Sequence, residues 1–287
     1  MYEIVYREDV APKIHLFRVA APAVARKAQP GQFVIVRAHE RGERIPLTVA
    51  DFDREAGTVT IVFMEVGKTT TEMATLKQGD HLANFVGPLG HPTEIQKFGT
   101  VMIVGGGFGT ATLLPVVRAM KEAGNHVVTV IGFRTKDLIF WEEKLRQMSD
   151  ELVVSTDDGS YGYKGVVTLP IKDMLESGRK VDRVIAVGPA IMMKFVSKTT
   201  EPFGVPTIVS LNPIMIDGTG MCGGCRVSVG GATKFVCVDG PEFEGNLVDW
   251  DLLFARQRLY LDEEKRAMEA HQCRLAAAEQ AAQTAQA

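Results

Sequence analysis

The chain has 287 residues, of which 46% are hydrophobic and 23% charged, and its formal net charge is -3. That supplies a sizeable core and length for about two domains, and the faintly acidic balance argues against nucleic acid or an anionic membrane as a partner. No positively charged lead followed by an apolar block opens the sequence, and no apolar run reaches the roughly twenty residues a bilayer needs, so a soluble, cytoplasmic protein is expected.

From Ile14 to about Lys97, short β-rich runs (KIHLFRVA, QFVIVRA, IPLTVADF, TVTIVFMEV, HLANFVG) alternate with turn signals such as Pro30-Gly31 and Gly79-Asp80. Evenly spaced short strands predict a small β-barrel, over residues 1–97. After Phe98 the rhythm changes to strand and helix in alternation: TVMIVGG, ATLLPVVRAMKEAG, HVVTVIGF, a helix near DLIFWEEKLRQM, then ELVVSTD and RVIAVGP. This pattern predicts an α/β domain with a parallel sheet over residues 98–211, and in such sheets ligands bind at the strand ends. A cysteine-bearing segment at 212–245 follows, and 246–287 is expected to be a helix that frays into an Ala/Gln-rich tail.

Three of the four cysteines run Cys222-x2-Cys225-x11-Cys237, with Asp217 five residues before the first. The spacing C-x4-C-x2-C with a distant fourth cysteine is that of plant-type [2Fe–2S] proteins, with an aspartate here in the first place. Gly218, Gly220, Gly223 and Gly224 let the backbone wrap closely and turn amides toward sulfur. A carboxylate carries the charge of a thiolate, so the exchange leaves the net charge of a cluster unchanged. Zinc is the rival, because three thiolates and a carboxylate also complete a tetrahedral site, and spacing does not separate the two. Cys273, in the charged tail, is expected to be a free thiol.

GGGFGTA (Gly105 to Ala111) follows a strand and opens a helix, so its amides could receive a pyrophosphate, although Thr110 stands where a strict dinucleotide fingerprint has glycine. In RIPLT, Arg44 could bind phosphate and Thr48 could hydrogen-bond a ring nitrogen. VGKTTTEM offers Lys68, Thr69 and Thr70 to a diphosphate but lacks the Walker A glycine. The six histidines form no hydrolytic metal motif, and Met192 and Met193 read as core.

Taken together, PGQF, RIPLT, GKTT, GPLG, GGGFG, VGPAIMM and the cysteine segment resemble the ferredoxin–NADP reductase superfamily over essentially residues 1–250, and within it the branch with a C-terminal [2Fe–2S] segment. Members of that branch serve dihydroorotate dehydrogenase, sulfide dehydrogenase and NADH-dependent reduced-ferredoxin:NADP oxidoreductase. The resemblance implies FAD in the barrel near Arg44, Pro46, Leu47 and Thr48, with its phosphates on Gly67, Lys68, Thr69 and Thr70. It implies NAD(H) along Gly105, Gly106, Gly107, Gly109 and Thr110, with Asp157, Gly188 and Pro189 near its path. It also implies a [2Fe–2S] cluster on Asp217, Cys222, Cys225 and Cys237. Dihydroorotate-type relatives have four cysteines and transhydrogenase-like ones an aspartate and three, so Asp217 points to the latter.

The expected activity is an electron relay between NAD(H), FAD and the cluster, within a heteromer containing a larger flavin and iron–sulfur subunit that could pass electrons to ferredoxin. The alternatives are a sulfide, dihydroorotate or glutamate-synthase-like dehydrogenase subunit, or a zinc-stabilised nucleotide-binding regulator.

Overall fold

The computed structural model describes the backbone of residues 1–286 and the side chains of residues 1–273. Seven antiparallel strands come first: β1 (Tyr2–Ala11), β2 (Ile14–Ala20), β3 (Phe33–Arg37), β4 (Ile45–Asp53), β5 (Thr58–Met64), β6 (His81–Leu82) and β7 (Asn84–Leu89). Short helices α1 (Pro22–Ala25) and α2 (Lys68–Ala74) lie in the connections. The strand order is β6-β1-β2-β5-β4-β3-β7, and only Ala83 separates the two edge strands. Its N–H donates to the carbonyls of Arg37 and Ala38, so the sheet closes almost fully into a barrel. Phe17, Ile61, Phe63 and Phe85 fill its interior.

Strand β1 has no hydrophobic run to announce it. Most of its residues are polar and only Ile4 is fully buried, so it exists through its ladder to β2, which pairs Tyr6 with Arg18 and Glu8 with Leu16.

The second unit is a sheet in the order β11-β10-β9-β8-β12-β13-β16, parallel except for β16. Its strands are β8 (Thr100–Gly106), β9 (His126–Phe133), β10 (Glu151–Thr156), β11 (Tyr163–Lys164), β12 (Arg183–Val187), β13 (Thr207–Ser210) and β16 (Glu242–Glu244). Helices α3 (Leu114–Glu122), α4 (Glu142–Met148), α5 (Thr168–Glu176) and α6 (Ala190–Thr200) cover its faces. Alternate residues of β8 go to opposite faces: Val101 and Ile103 join the core with Val117 and Met120, while Met102 and Val104 join that with Ile171 and Met193. Each such burial contributes roughly 1.5–3 kcal/mol of transfer free energy.

Two helices start later than their patterns suggest. Gly107–Thr112 form a 3-10 turn and α3 begins only at Leu114, with Pro115 in the first turn, where its missing N–H costs nothing. In DLIFWEEKLRQM, Ile139 is extended and Trp141 is left-handed (φ 59), so α4 starts at Glu142. The reason is burial: Phe140 is drawn into the core against Phe133, with ring centroids 5.6 Å apart.

The cysteine segment contains a hairpin, β14 (Arg226–Val229) and β15 (Ala232–Phe235), then α7 (Val236–Asp239). Gly230 and Gly231 both have positive φ (59 and 78), as a tight two-residue hairpin turn demands. Helix α8 (Trp250–Gln257) is capped by the Asp249 carboxylate, which accepts the Leu252 amide, and tied to β14 through the Asp249 N–H on Ser228. Helix α9 (Leu261–Gln286) closes the chain. The side chains of its second half and all of Ala287 lie outside the described residues, as does the fraying expected there. No helix among the described residues is long and apolar enough to cross a membrane.

Candidate functional site

In the sheet, β8, β9 and β10 run to one side while β12 and β13 lie on the other, so the order reverses between β8 and β12. Loops leaving strands at such a reversal diverge and open a crevice. A cleft of about 490 Å³ occupies that place, within the range of small-molecule sites. Its walls come from three units: Pro46, Thr48 and Phe33 of the barrel, Gly106 to Gly109 with Gly188 and Pro189 of the sheet, and Asn212 and Met215 of the cysteine segment. Phe133, Arg134 and Phe140 complete the β9 side.

The strand-end glycines have distinct reasons. A Cβ on Gly109 would stand 2.4 Å from the Val187 carbonyl oxygen, and one on Gly106 would strike the Met192 sulfur at 2.2 Å. Close packing within the protein, rather than against a ligand, accounts for both. Gly107 differs, having φ 50 and nothing within 4 Å of the place a Cβ would take, so it faces open space in the cleft. Within this turn the Thr110 hydroxyl is fully buried behind the cleft wall and has no hydrogen-bond partner among the described residues.

The remaining expected nucleotide and flavin residues are spread more widely. Leu47 is in the barrel core, Gly105 is inside β8, and Asp157 is exposed just past β10, its amide on the Phe133 carbonyl. At α2, the Thr70 hydroxyl accepts the amides of Val66 and Gly67 at 3.0 and 3.1 Å, the Thr69 hydroxyl donates to Glu43 at 2.6 Å, and Lys68 pairs with Glu72 at 3.4 Å. Glu72 also meets His39 at 3.2 Å and His271 of α9 at 3.4 Å, so the last helix is seated on α2.

In the cysteine segment, the hairpin explains the eleven-residue spacer. Cys225 enters β14 and Cys237 leaves β15, and pairing of Arg226 with Phe235 brings the two thiols to 3.2 Å as free cysteines. Burial, then the neighbouring Cys225 thiol, pushes the Cys237 thiol up to about 12, with the Gly220 amide acting in the opposite direction. A cation bound here would replace those protons. Cys222 is exposed; its amide donates to Asp217 Oδ2 at 2.8 Å and its sulfur accepts from the Gly224 amide at 3.5 Å. Asp217 also accepts the Thr219 amide, and these amides hold its carboxyl below the usual carboxylate range.

The structure brings the four expected donors together as two pairs, Asp217 beside Cys222 and Cys225 beside Cys237, and among the described residues no three such side chains converge on one point. Arg44 reaches from the barrel to the cysteine segment. Its Nε donates to the Ile216 carbonyl at 2.8 Å and its Nη2 to the Asp217 carbonyl at 3.3 Å. From the other side, Arg256 Nη2 donates to the Gly224 carbonyl at 3.0 Å. Sequence reasoning missed Arg256 and the aromatic wall of Phe133 and Phe140. A position at the end of the strand HVVTVIGF was the one available signal for Phe133, and Arg256 had none.

Residues 103–198 match the oxidoreductase NAD-binding domain, and residues 212–249 match the iron–sulfur cluster binding domain of dihydroorotate dehydrogenase B. A Thermotoga maritima protein named as a homolog of the dihydroorotate dehydrogenase B (NAD(+)) electron transfer subunit is 54% identical, covering 92% of this chain and 93% of its own length. The electron transfer subunit of dihydroorotate dehydrogenase B from Desulforamulus reducens is 35% identical over 84% of this chain and 95% of its own length. Among solved structures, a chain from an NADH-dependent reduced ferredoxin-NADP oxidoreductase, described for flavin-based electron bifurcation, superposes with TM-score 0.88 at 52% identity, covering 93% of this chain and 96% of that one. A Neisseria gonorrhoeae ferredoxin NADP+ reductase with bound FAD and NADP shares the fold at 17% identity, with TM-score 0.57 over 71% of this chain and 90% of that one.

Proposed function

The chain belongs to the family of dihydroorotate dehydrogenase B electron-transfer subunits and their homologues, and on that premise we propose that it relays electrons between NAD(H), FAD and a [2Fe–2S] cluster within a heteromeric, transhydrogenase-type ferredoxin:NADP oxidoreductase. It is an oxidoreductase subunit, and its partner is a larger catalytic subunit. The observation that carries the reading is the single cleft bordered by barrel, sheet and cysteine segment together. Ferredoxin as the terminal partner is proposed from the likeness to a chain of the reduced ferredoxin-NADP oxidoreductase, at TM-score 0.88 and 52% identity.

The residues fit the three groups. Apolar walls at Phe33, Pro46 and Met215 suit a flavin ring, with Thr48 beside it as a hydrogen-bonding group. Phosphates of FAD are assigned to Gly67, Lys68, Thr69 and Thr70, and NAD(H) to Gly105, Gly106, Gly107, Gly109 and Thr110 with Asp157, Gly188 and Pro189. The open Gly107, which lines the cleft, supports the nucleotide assignment. Two separate donor pairs suit two irons better than one tetrahedral zinc, which requires four donors around one point. When bound, FAD supplies the exchange between two-electron hydride transfer and single-electron transfer. The chain's own groups orient and shield: Phe133 and Phe140 keep water from the β9 side, and Asp217, Cys222, Cys225 and Cys237 hold the metal centre.

Anaerobic purification followed by visible, iron, acid-labile sulfide and electron paramagnetic resonance measurements tests this. Flavin with about two irons and two sulfides per chain is expected, bleached by NADH. A colourless protein with one zinc would sink it.

A further inference from the structure

We propose that Arg44 and Arg256 form a two-sided guanidinium clasp that positions the cysteine loop and raises the reduction potential of the cluster it holds, an inference that rests on the electron-transfer reading above. Arg44 precedes β4, the strand whose Pro46 and Thr48 line the cleft, and takes the carbonyls of Ile216 and Asp217. Arg256 lies one turn after the buried Leu253 on α8, so packing of that face carries it inward to the Gly224 carbonyl. The two cations thus grip the loop just before its first donor's side chain and just before Cys225.

The carbonyl and amide of a peptide point in opposite directions along the chain. Anchoring carbonyls outward at these places leaves amides in between free for the donors. The Cys222 and Thr219 amides go to Asp217, the Gly224 amide goes to the Cys222 sulfur, and the Gly220 amide acts on the Cys237 sulfur. Neither arginine is a metal donor; both act through the loop.

Charge is the second part of the clasp. A guanidinium stays protonated at every relevant pH. Both arginines are partly buried, where salt screens them less than at an open surface. Arg256 Nε is moreover buried without an acceptor among the described residues, so part of its donor capacity is uncompensated. A centre with four anionic donors gains one further negative charge when it takes an electron, and two fixed cations favour that reduced form. The electron enters from a reductant and no proton or covalent bond is involved.

Dithionite redox titrations of the holoprotein, with iron, sulfide and reduced-state paramagnetic spectra, test the clasp in Arg44→Gln, Arg256→Gln, Arg44→Lys and Arg256→Lys. Arg54→Gln is the control, a barrel arginine bonded to Ala28. Each glutamine variant should lower the reduced-to-oxidised ratio at a fixed ambient potential by about three- to tenfold, the effect of one charge acting through partly aqueous surroundings. The lysine variants, which keep the charge but lose the fork, should stay nearer the parent in potential while their spectra shift. A glutamine variant recovered folded but short of iron, with its lysine counterpart retaining iron, is the stronger form of the same result. A parent that holds the cluster, with all four variants matching it in potential and spectrum, overturns the clasp alone. A parent without iron or sulfide overturns the electron-transfer reading itself.

Discussion

Glycine is concentrated in two regions of this molecule, at the strand ends of the sheet and in the cysteine loop, and it answers different constraints in each. Gly106 and Gly109 have no left-handed backbone but no room for a Cβ, because Met192 of α6 crowds Gly106 and the end of β12 crowds Gly109. Gly218, Gly220 and Gly223 have φ of 77, 85 and 64, a left-handed backbone in which other residues are strained. The sheet region is positioned by backbone ladders, Val184 to Val187 on one side of β8 and Val127 to Gly132 on the other. The loop has no ladder and is positioned by side chains: Arg44, Arg256 and the Asp217 carboxylate. A ladder tolerates most side-chain changes, whereas a loop held by a few side chains depends on each.

The sharpest test of that contrast is Cys237→Ser. It should abolish iron and acid-labile sulfide while NADH binding, measured by calorimetry, persists on the separately built sheet; joint loss of both would break the comparison. Next in size, Gly109→Ala drives a Cβ toward the Val187 oxygen and should destabilise the protein by about 1–3 kcal/mol in denaturant titration, with weaker NADH binding. Gly218→Ala combines a left-handed backbone with contacts of 2.7 Å to Leu89 and 2.8 Å to Ile35. It should cost about 1–2 kcal/mol and speed iron release, with NADH affinity unchanged.

The smallest effect concerns pH. Hydrogen bonds from Arg179, then His126, hold the Glu151 carboxyl down from near 4.5 to about 2. Because its folded pKa lies below the unfolded one, Glu151 stabilises the sheet above about pH 4.5, and that contribution is lost as pH falls toward about 2. The side chain is 42% exposed, so the effect is below about 1 kcal/mol. Glu151→Gln should flatten the acid limb of stability slightly, and an unchanged limb would show the pair to be energetically idle.

Much of the fold was legible because it rests on local periodicity. Short β-rich runs such as QFVIVRA and TVTIVFMEV between turn signals predicted barrel strands, and the strand-and-helix rhythm after Phe98 predicted the parallel sheet. Strand β1 was not legible, since its polar residues are recruited by pairing with β2, and neither was the late start of α4, which follows from burial of Phe140. At the site, the cysteine spacing was readable because a hairpin between Cys225 and Cys237 leaves a fixed offset. Arg44 was noticed for its charge, but a role toward phosphate and a grip on the Ile216 and Asp217 carbonyls look alike in sequence.

Sequence alone determined the fold class and the order of its units, and it set the spacing of the residues proposed as metal donors, because periodicity and spacing along the chain are local quantities. Tertiary structure decided that one cleft borders all three units, that the donors stand in two pairs, and that Arg44 and Arg256 meet the same loop. Arg44 and Ile216 are 172 positions apart, and only packing of the barrel against the cysteine segment brings them within a hydrogen bond.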